Sequence, residues 1–248
     1  DTYISDVRTR PTKATAASYL ASVYLTLANY AKAYTEAKWV IDNRSLYKYS
    51  LESDYQTLFR AEMGDNLVEH IFAVDFKAQL SSGNQNDDLV GPMTGIRNVP
   101  QSGFGVCVPS LRVFTTWDSR DYRRKVSFED STVNAAGVKI GYLDFPNEKR
   151  PHIAKWRRFP GNANADGRFS DFNYPDMRYA EVLLIAAEAL TETSGPTQEA
   201  IGYVNQIKTR ARNWPGRVSI FPSDLMVASF TKQQLIDAIM EERRLELS

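Results

Sequence analysis

Two aspartates stand close together in Trp117-Asp-Ser-Arg-Asp121, and a pair of carboxyl groups is what most glycosidases use to cleave a sugar linkage. Such catalysis needs one carboxyl group that stays protonated as a general acid. The neighbouring cations are Arg120, Arg123 and Arg124. Because nearby positive charge favours the ionised form of a carboxyl group, we predict that Asp118 and Asp121 form structural ion pairs.

Nucleophilic catalysis would need a base beside a serine or cysteine. The only histidines are His70, at the edge of a predicted strand, and His152, in a predicted loop after Pro151. No serine lies in a Gly-x-Ser-x-Gly context. The single cysteine, Cys107, excludes an intramolecular disulfide and any multi-cysteine metal site, and its apolar neighbours predict a buried, inert thiol. We therefore expect no catalytic residues.

The segment Asn162-Ala-Asn-Ala-Asp-Gly167 has the spacing of oxygen donors found in a calcium loop. Asn162 replaces the usual leading aspartate, and Asn173 stands where a bidentate glutamate is expected. One formal charge makes a poor calcium site, so the segment is predicted to be an ordinary turn. We expect neither a bound metal nor a cofactor.

The charge balance argues against nucleic acid as a partner. Lys+Arg and Asp+Glu both count 30 in 248 residues, so there is no overall field to attract a polyanion. The run Lys155-Trp-Arg-Arg-Phe159 mixes cations with aromatic rings, but it is short. It is predicted to be one strand with Trp156 directed inward.

Binding of a sugar or peptide requires other residue types. Flat aromatic side chains pack on the apolar face of a sugar ring, and amides or arginines form hydrogen bonds with its hydroxyl groups. Phe104 stands between two glycines, with Gln101 and Asn98 close in sequence. Trp214 follows a predicted helix in Arg-Asn-Trp-Pro-Gly. These four residues are the candidate ligand-binding residues, and for the two aromatic rings packing onto the scaffold is the alternative.

The elements that would position these residues are mainly helical. Apolar and small residues recur every three or four positions from Thr12 to Asn29, and a second helix is predicted to end near Asn43. A later pair is predicted from Pro175 to Gly195 and from Gln198 to Arg212. The last helix, Thr231–Leu247, has no evident partner in the sequence, and its Glu241–Arg244 run is predicted to be mostly solvated. Alanine-lined helices joined by short turns are typical of tetratricopeptide-type hairpins.

The region between the hairpins has a different character. Short apolar or alternating runs predict strands at Ile71–Phe76, Val138–Leu143 and His152–Trp156, separated by long segments rich in glycine and proline. Long loops in a compact protein are usually functional, so segments 77 to 109 and 131 to 172 are predicted to determine specificity. The predicted organisation is a helical hairpin in 1–51, an irregular binding region in 52–173, and a second hairpin with a further helix in 174–248.

A set of ordered stretches across nearly the whole chain resembles the SusD/RagB family of nutrient-binding outer-membrane lipoproteins. The stretches are Arg10–Ala14 with Leu20–Leu25, Tyr30–Ala33 with Val40, Ile41 and Tyr47, Glu69–Val74, Trp117–Asp121 with Arg123 and Arg124, Asn173–Leu184, Ala187–Ala189, Asn205 with Lys208 and Arg210–Arg212, and Ile239–Leu247. Their order and spacing together support the resemblance.

The resemblance implies a mainly α fold, with tetratricopeptide-like helical hairpins as scaffold and an irregular, short-stranded, loop-rich region for ligand contacts. It also implies a non-catalytic glycan-binding subunit at the cell surface, held in the outer membrane by a lipid anchor outside this chain. The implied partner is a SusC-like TonB-dependent outer-membrane transporter. No lipidated cysteine precedes Asp1, and the chain stops inside an amphipathic pattern, so we expect it to be part of a longer protein.

Three alternatives remain open from the sequence. The ligand could be an oligopeptide instead of a glycan. A tetratricopeptide-type interaction scaffold would bind a peptide in its helical groove. A secreted glycoside hydrolase would hold an inward pair of carboxyl groups in a cleft.

Overall fold

The computed structural model describes residues 7–63, 65–76, 88–156 and 172–248. Its α-helices are α1 Lys13–Thr26, α2 Tyr30–Asp42, α3 Arg44–Tyr47, α4 Val90–Thr94, α5 Leu111–Thr116, α6 Tyr122–Ser127, α7 Tyr179–Ser194, α8 Gln198–Arg212 and α9 Lys232–Leu247. Its strands are β1 His70–Val74, β2 Phe128–Glu129, β3 Ser131–Val133, β4 Lys139–Gly141, β5 His152–Ile153, β6 Tyr174–Arg178, β7 Asn213–Trp214 and β8 Arg217–Val218. Short 3-10 helices occupy Tyr55–Phe59, Ala61–Met63, Tyr142–Asp144 and Val227–Ser229.

The chain divides into two compact units. Unit 1 comprises Asp1–Asp54, Asn66–Ala73 and Pro175–Ser248, and unit 2 comprises Tyr55–Asp65 and Val74–Tyr174. The main long helices all belong to unit 1, whereas unit 2 is built from short helices and two-residue or three-residue strands. The prediction of a mainly α fold with a short-stranded, loop-rich region is therefore confirmed.

The first hairpin of unit 1 is formed by α1 and α2, which pack against each other. Thr12 caps α1 by accepting from the Thr15 N–H at 3.2 Å, and Asn29 caps α2 through the Lys32 N–H. The facing side chains are small and fully buried: Ala14, Ala21, Ala33 and Ala37. Small residues at these positions allow the two helix backbones to approach closely. Leu20 lies at the same three- or four-residue spacing, which predicts an inward position, but its side chain is exposed.

The helix α7 lies at the centre of unit 1 and contacts α1, α2, α8 and α9. Almost every residue from Tyr179 to Thr191 is buried, because neighbours cover the helix on several sides. The prediction that α9 has no partner in the chain is therefore wrong: α9 packs on α7 and α8. Glu242, predicted to be solvated, is buried and pairs with Lys208 at 3.3 Å.

The segment that begins at Pro175 was predicted to open a helix, but the structure places it in strand β6. This strand pairs with β1, and the helix starts only after Arg178. Pairing with a distant strand supplies hydrogen bonds that local propensity does not show. The Tyr179 N–H also donates to the Glu69 carbonyl at 2.8 Å, which ties the start of α7 to the start of β1.

Four buried charged side chains form a closed ring in unit 1, which we call the charge ring: Glu69, Arg178, Glu246 and Arg210. Arg178 Nη1 donates to Glu69 Oε1 and to Glu246 Oε1, each at 2.8 Å. Arg210 donates to Glu69 Oε2 at 2.9 Å and to Glu246 Oε1 at 2.5 Å. The four side chains are at most 8% exposed. Each charge therefore has two opposite neighbours, and the ring joins β1, β6, α8 and α9.

Unit 2 is held by several small apolar clusters and aromatic contacts. Strand β2 pairs antiparallel with β5, and β3 pairs antiparallel with β4 in the register Ser131↔Gly141. Phe114 contacts Phe128 edge to face, with ring centroids 5.3 Å apart. The Lys155 ammonium lies 4.8 Å from the centroid of the Phe59 ring, a cation–π contact that places its charge over an aromatic face. Trp156, predicted to point inward, is half-buried.

The charge ring predicts a large cost when one member is removed. In Arg210→Met, Glu69 and Glu246 each lose one of their two guanidinium partners, and we expect the free energy of unfolding to fall by about 3–5 kcal/mol. The matched control is Lys38→Met, which removes the same charge from the exposed pair with Asp42 and should cost less than about 0.5 kcal/mol. Urea denaturation of both variants measures the difference. Equal stability of the two variants would contradict a structural role for the ring.

His70 predicts a pH-dependent loss of stability. Burial, aided by Arg178 and Arg8, lowers the pKa of His70 to about 3. Because the unfolded chain binds the proton near pH 6.5 and the folded chain does not, stability is complete above that pH and falls as the pH drops toward 3. We expect this group to account for a loss of about 2 kcal/mol between pH 6.5 and 5.

The variants His70→Phe and His70→Leu should lack this component of the pH dependence. Urea denaturation at pH 7 and pH 5 compares each variant with the original chain, so that contributions from all other groups cancel. A slope unchanged by both substitutions would show that His70 is not the group responsible.

Candidate functional site

The loop after α4 contains three of the four predicted ligand-binding residues, and backbone hydrogen bonds fold it back onto α4. The Gly103 N–H donates to the Ile96 carbonyl at 2.8 Å, and the Phe104 N–H donates to the Pro92 carbonyl at 2.7 Å. The side chains of Ile96 and Val99 are buried with Phe145 beneath the loop. The loop is thus held by the apolar contacts of Ile96 and Val99 with Phe145 and by its backbone hydrogen bonds.

Two glycines allow this path. A Cβ atom at Gly103 would lie 2.6 Å from the Gly95 Cα and 2.7 Å from the Pro92 carbonyl oxygen, so no side chain fits there. Gly105 has a φ angle of +61°, a conformation that residues with a Cβ atom rarely adopt. Phe104 lies between these two glycines, and its side chain is 42% exposed. A large aromatic ring that is this exposed offers a face to a ligand.

Exposed amide side chains lie on this loop and next to it. The Asn98 Nδ2 group donates to Asn147 Oδ1 at 3.0 Å, and the Asn98 N–H donates to Ser102 Oγ at 3.0 Å. Both asparagines and Gln101 are exposed. An aromatic ring beside neutral amides can bind a sugar through ring contact and hydroxyl hydrogen bonds. None of these side chains titrates near neutral pH, so the group is suited to binding and not to proton transfer.

Trp214, the fourth predicted residue, belongs to unit 1 and therefore does not lie in this loop. It is in strand β7, paired with Arg217 of β8 through a turn in which Gly216 has a φ angle of +87°. The Arg217 guanidinium lies 5.2 Å from the centroid of the Trp214 ring, and the ring is half-buried. The other three residues belong to unit 2.

The residues weighed for catalysis have structural roles. Arg120 Nη2 contacts Asp118 Oδ2 at 2.7 Å, and this hydrogen bonding lowers the pKa of Asp118 to about 2. Arg123 pairs with Asp121 at 2.8 Å, and both side chains are buried. The predicted ion pairs are therefore confirmed, since each aspartate has its own arginine.

The structure tests the predicted positions of His152 and Cys107. The His152 Nδ1 lies 3.0 Å from the Thr94 carbonyl oxygen. The ring is buried in strand β5, at the start of the run predicted to be a strand and not in the loop considered for it after Pro151. Cys107 was predicted to be buried, but it is exposed: its N–H donates to the Met93 carbonyl at 3.0 Å. The pattern of apolar neighbours was misleading because the whole segment runs along the surface of α4.

Across 7–63, 65–76, 88–156 and 172–248, no three His, Cys, Asp or Glu side chains come close enough together to hold an ion. The segment from Asn162 to Gly167 that was weighed as a calcium loop lies outside the described residues.

A cleft in unit 1, with a volume of about 590 Å³, opens beside α8 and the segment after α3. Its lining includes Tyr49, Glu52, Asn205 and Arg210. The Asn205 amide is engaged at both ends by the backbone of Leu225, and Arg210 belongs to the charge ring. Burial raises the pKa of Glu52, with a further contribution from Glu69. The polar groups of this cleft mainly hold unit 1 together.

A second cleft, of about 470 Å³, lies in unit 2 and was not foreseen from the sequence. Its lining includes Phe114, Arg124, Lys125 and Lys139. Arg124 had been considered only as a partner for the nearby aspartates. Lys139 comes from a strand about fifteen residues further on, and only the fold brings these cations together. Proximity in the sequence gave no signal for this cleft.

Comparison with known proteins shows which family this chain belongs to. The model of the SusD family matches residues 116–248, which is more than half of the chain. The chain belongs to the SusD family. The resemblance seen in the ordered stretches of sequence is thereby confirmed. SusD-like protein P2 from Formosa agariphila is 43% identical over 250 residues, which cover 97% of this chain and 49% of that protein. The chain thus spans about half the length of this SusD-like relative.

Solved structures share the fold of this chain. A SusD homologue from Bacteroides thetaiotaomicron superposes with a TM-score of 0.80 at 22% identity, covering 98% of this chain and 52% of the other. Surface glycan-binding protein A from the same species, solved with laminarihexaose, gives a TM-score of 0.73 at 19% identity, covering 98% of this chain and 53% of the other. Among the described helices of this SusD-family chain, none is long and apolar enough to cross a bilayer.

The contact at Gly103 predicts that the loop tolerates no side chain there. In Gly103→Ala the new methyl group would meet backbone atoms, and we expect the free energy of unfolding to fall by about 1–3 kcal/mol. Gly141→Ala is the control, because a Cβ atom at Gly141 meets nothing within 4 Å. Urea denaturation compares the two variants. If Gly103→Ala were as stable as Gly141→Ala, the loop would not be held in this conformation.

Proposed function

We propose that this chain is part of a non-catalytic glycan-binding subunit at the cell surface, which delivers its ligand to a SusC-like TonB-dependent transporter. The observation that carries the proposal is the exposed Phe104 ring on a loop that also carries the exposed amides of Asn98 and Gln101 and is held by backbone hydrogen bonds. Membership of the SusD family supports the cell-surface role and the transporter partner. The glycan-bound structure of a protein with the same fold supports a sugar as ligand.

The state of the two aspartates weighed for catalysis supports the non-catalytic role. Hydrolysis by two carboxyl groups requires that one remain protonated near neutral pH. Asp118 has a pKa near 2 because Arg120 binds it, and the Asp121 carboxylate is paired with Arg123. Asp118 therefore stays ionised at neutral pH and has no proton to give to a leaving sugar. The side-chain amides of the Phe104 loop do not ionise at this pH either, so they cannot act as general acids.

Binding then depends on shape and hydrogen bonding. The apolar C–H face of a sugar packs on an exposed aromatic ring, and amide groups donate to and accept from its hydroxyl groups. The loop is already folded through the Gly103 and Phe104 backbone bonds, so little conformational freedom is lost when a ligand binds. The long helices of unit 1, lined with buried alanines, form the scaffold of the protein.

Phe104 is the residue whose loss tests the proposal. Isothermal titration calorimetry with laminarin, xylan, polygalacturonate and iota-carrageenan should reveal binding of at least one polysaccharide. In Phe104→Ala we expect the affinity to fall roughly tenfold or more, because the ring contact is lost. The control is Leu143→Ala, which removes a side chain that is 64% exposed elsewhere in unit 2.

A second measurement separates binding from hydrolysis. Prolonged incubation with each polysaccharide should release no reducing ends. Steady release would contradict the non-catalytic role, and binding of oligopeptides but no polysaccharide would point to the peptide-binding alternative. An unchanged affinity in Phe104→Ala would move the binding site away from this loop.

A further inference from the structure

The cleft of about 470 Å³ in unit 2 contains an excess of positive charge. Its charged side chains are Arg124, Lys125, Lys139 and Asp130, which makes three cations against one carboxylate. Asp118 and Asp121, in the segment before the cleft, are each held by an arginine of their own, Arg120 and Arg123. Glu129 stands between Phe128 and Asp130 in the chain but is not among the residues that line the cleft. In a chain whose formal net charge is zero, this concentration of positive charge is local. A concave surface with this charge attracts an anionic group.

Separate elements bring these cations together. Arg124 and Lys125 stand in the last turn of α6, and Lys139 is on β4 of the β3–β4 hairpin, opposite Val133. Ser131, at the start of β3, adds a hydroxyl group to the wall. The cleft is therefore formed by one helix end and one hairpin, and both are ordered by backbone hydrogen bonds.

Arg124 is held in place before any ligand arrives. Its Nε donates to the Phe114 carbonyl at 3.2 Å, and its guanidinium lies 3.8 Å from the centroid of the Phe114 ring. Within the part of the chain that the structure describes, no protein acceptor is recorded for its two Nη groups. A fixed guanidinium fork of this kind suits the paired oxygens of a carboxylate or a sulfate. Phe114 in turn is fixed by Phe128 and Tyr142.

Tyr142 connects this cleft with the Phe104 loop. Its ring lies 5.7 Å from that of Phe114, and it also packs on the buried cluster of Ile96, Val99 and Phe145 beneath the loop. The cleft and the loop therefore share one support within unit 2. A polymer with regularly spaced sugars could occupy both, with its uncharged ring on Phe104 and its charged group among the cations.

We propose that this cleft is a subsite for the carboxylate or sulfate of an anionic polysaccharide, so that the preferred ligand is a charged glycan. This inference rests on the proposed function, and it names the class of glycan. The guanidinium of Arg124 binds the anionic oxygens, and Lys125 and Lys139 add charge at the rim. Because both lysines are exposed, their attraction for an anion weakens as the salt concentration rises.

The test compares each charged polysaccharide with its uncharged form. Calorimetry uses polygalacturonate against fully methyl-esterified polygalacturonate, and iota-carrageenan against its desulfated product, with laminarin as a neutral reference. We expect at least one charged form to bind tenfold or more tightly than its uncharged counterpart at low salt, and this preference to shrink in 0.5 M NaCl. The carboxylate and sulfate arms identify which anion the cleft takes.

Substitutions in the cleft show whether the preference for a charged polysaccharide arises there. Lys125→Gln combined with Lys139→Gln should abolish most of the preference for the charged form, whereas Lys149→Gln, an exposed lysine outside the lining of the cleft, should preserve it. Circular dichroism and thermal unfolding check that the double variant keeps its fold. If the double variant is unstable, Lys139→Gln alone provides the test, because Lys139 is an exposed residue on a short hairpin.

Each remaining outcome counts against the proposal in a distinct way. Binding of laminarin with no preference for either charged form would overturn the anionic subsite and leave the proposed function intact. Equally tight binding of poly-L-glutamate would show a general affinity for polyanions, not recognition of a glycan. If no polysaccharide binds, laminarin included, the proposed function fails together with this inference.

Discussion

Unit 1 depends on a closed ring of four buried charges. Glu69 and Glu246 alternate with Arg178 and Arg210, and each guanidinium bridges both carboxylates. Burying such groups is costly unless every charge is paired, so the ring is favourable only when all four segments are in place. Glu69 and Arg210 are 141 positions apart in the chain. The ring therefore disfavours partly assembled arrangements, in which a charge would be buried without its partner.

The rest of unit 1 surrounds this ring with small and apolar residues. Alanines on α1, α2 and α7 let these helices approach closely, and β1 brings Glu69 to the start of α7 through the Tyr179 N–H. Unit 2 is stabilised differently, by short strands, aromatic contacts and turns held by their own backbone. Its exposed groups, Phe104 and the lysines of its cleft, are the ones that face solvent in a position to meet a ligand. The two units are thus stabilised by different kinds of structure.

The sequence predicted the helices well because their evidence is local. The spacing of apolar residues located α1, α2, α8 and α9, and Thr12 and Thr231 cap α1 and α9. The pairing of Asp118 and Asp121 with arginines was also predictable, since each aspartate lies two residues from its partner.

Features that depend on distant contacts could not be read from the pattern. Pro175 lies in a strand because β1 pairs with it, and α9 has a partner because α7 offers a further apolar face. Cys107 is exposed because its segment lies along the surface of α4. For the candidate ligand-binding site, residue types and spacing indicated Phe104, Asn98 and Gln101, which are close together in the chain. The cationic cleft went unnoticed because Lys139 meets Arg124 only through the turn of a hairpin.

The close approach of Gly103 to Gly95 separates the frame of the loop from its outward side chains. The path of the backbone depends on the glycines and on the carbonyl of Pro92, whereas the side chains of Phe104 and Gln101 are exposed. Asn98 belongs to the path itself, because its φ angle of +61° is one that few residues with a Cβ atom adopt. Residue types at Phe104 and Gln101 can therefore change without altering the route of the chain. Libraries randomised at these positions, with the glycines retained, would be a direct way to obtain new ligand preferences on an unchanged scaffold.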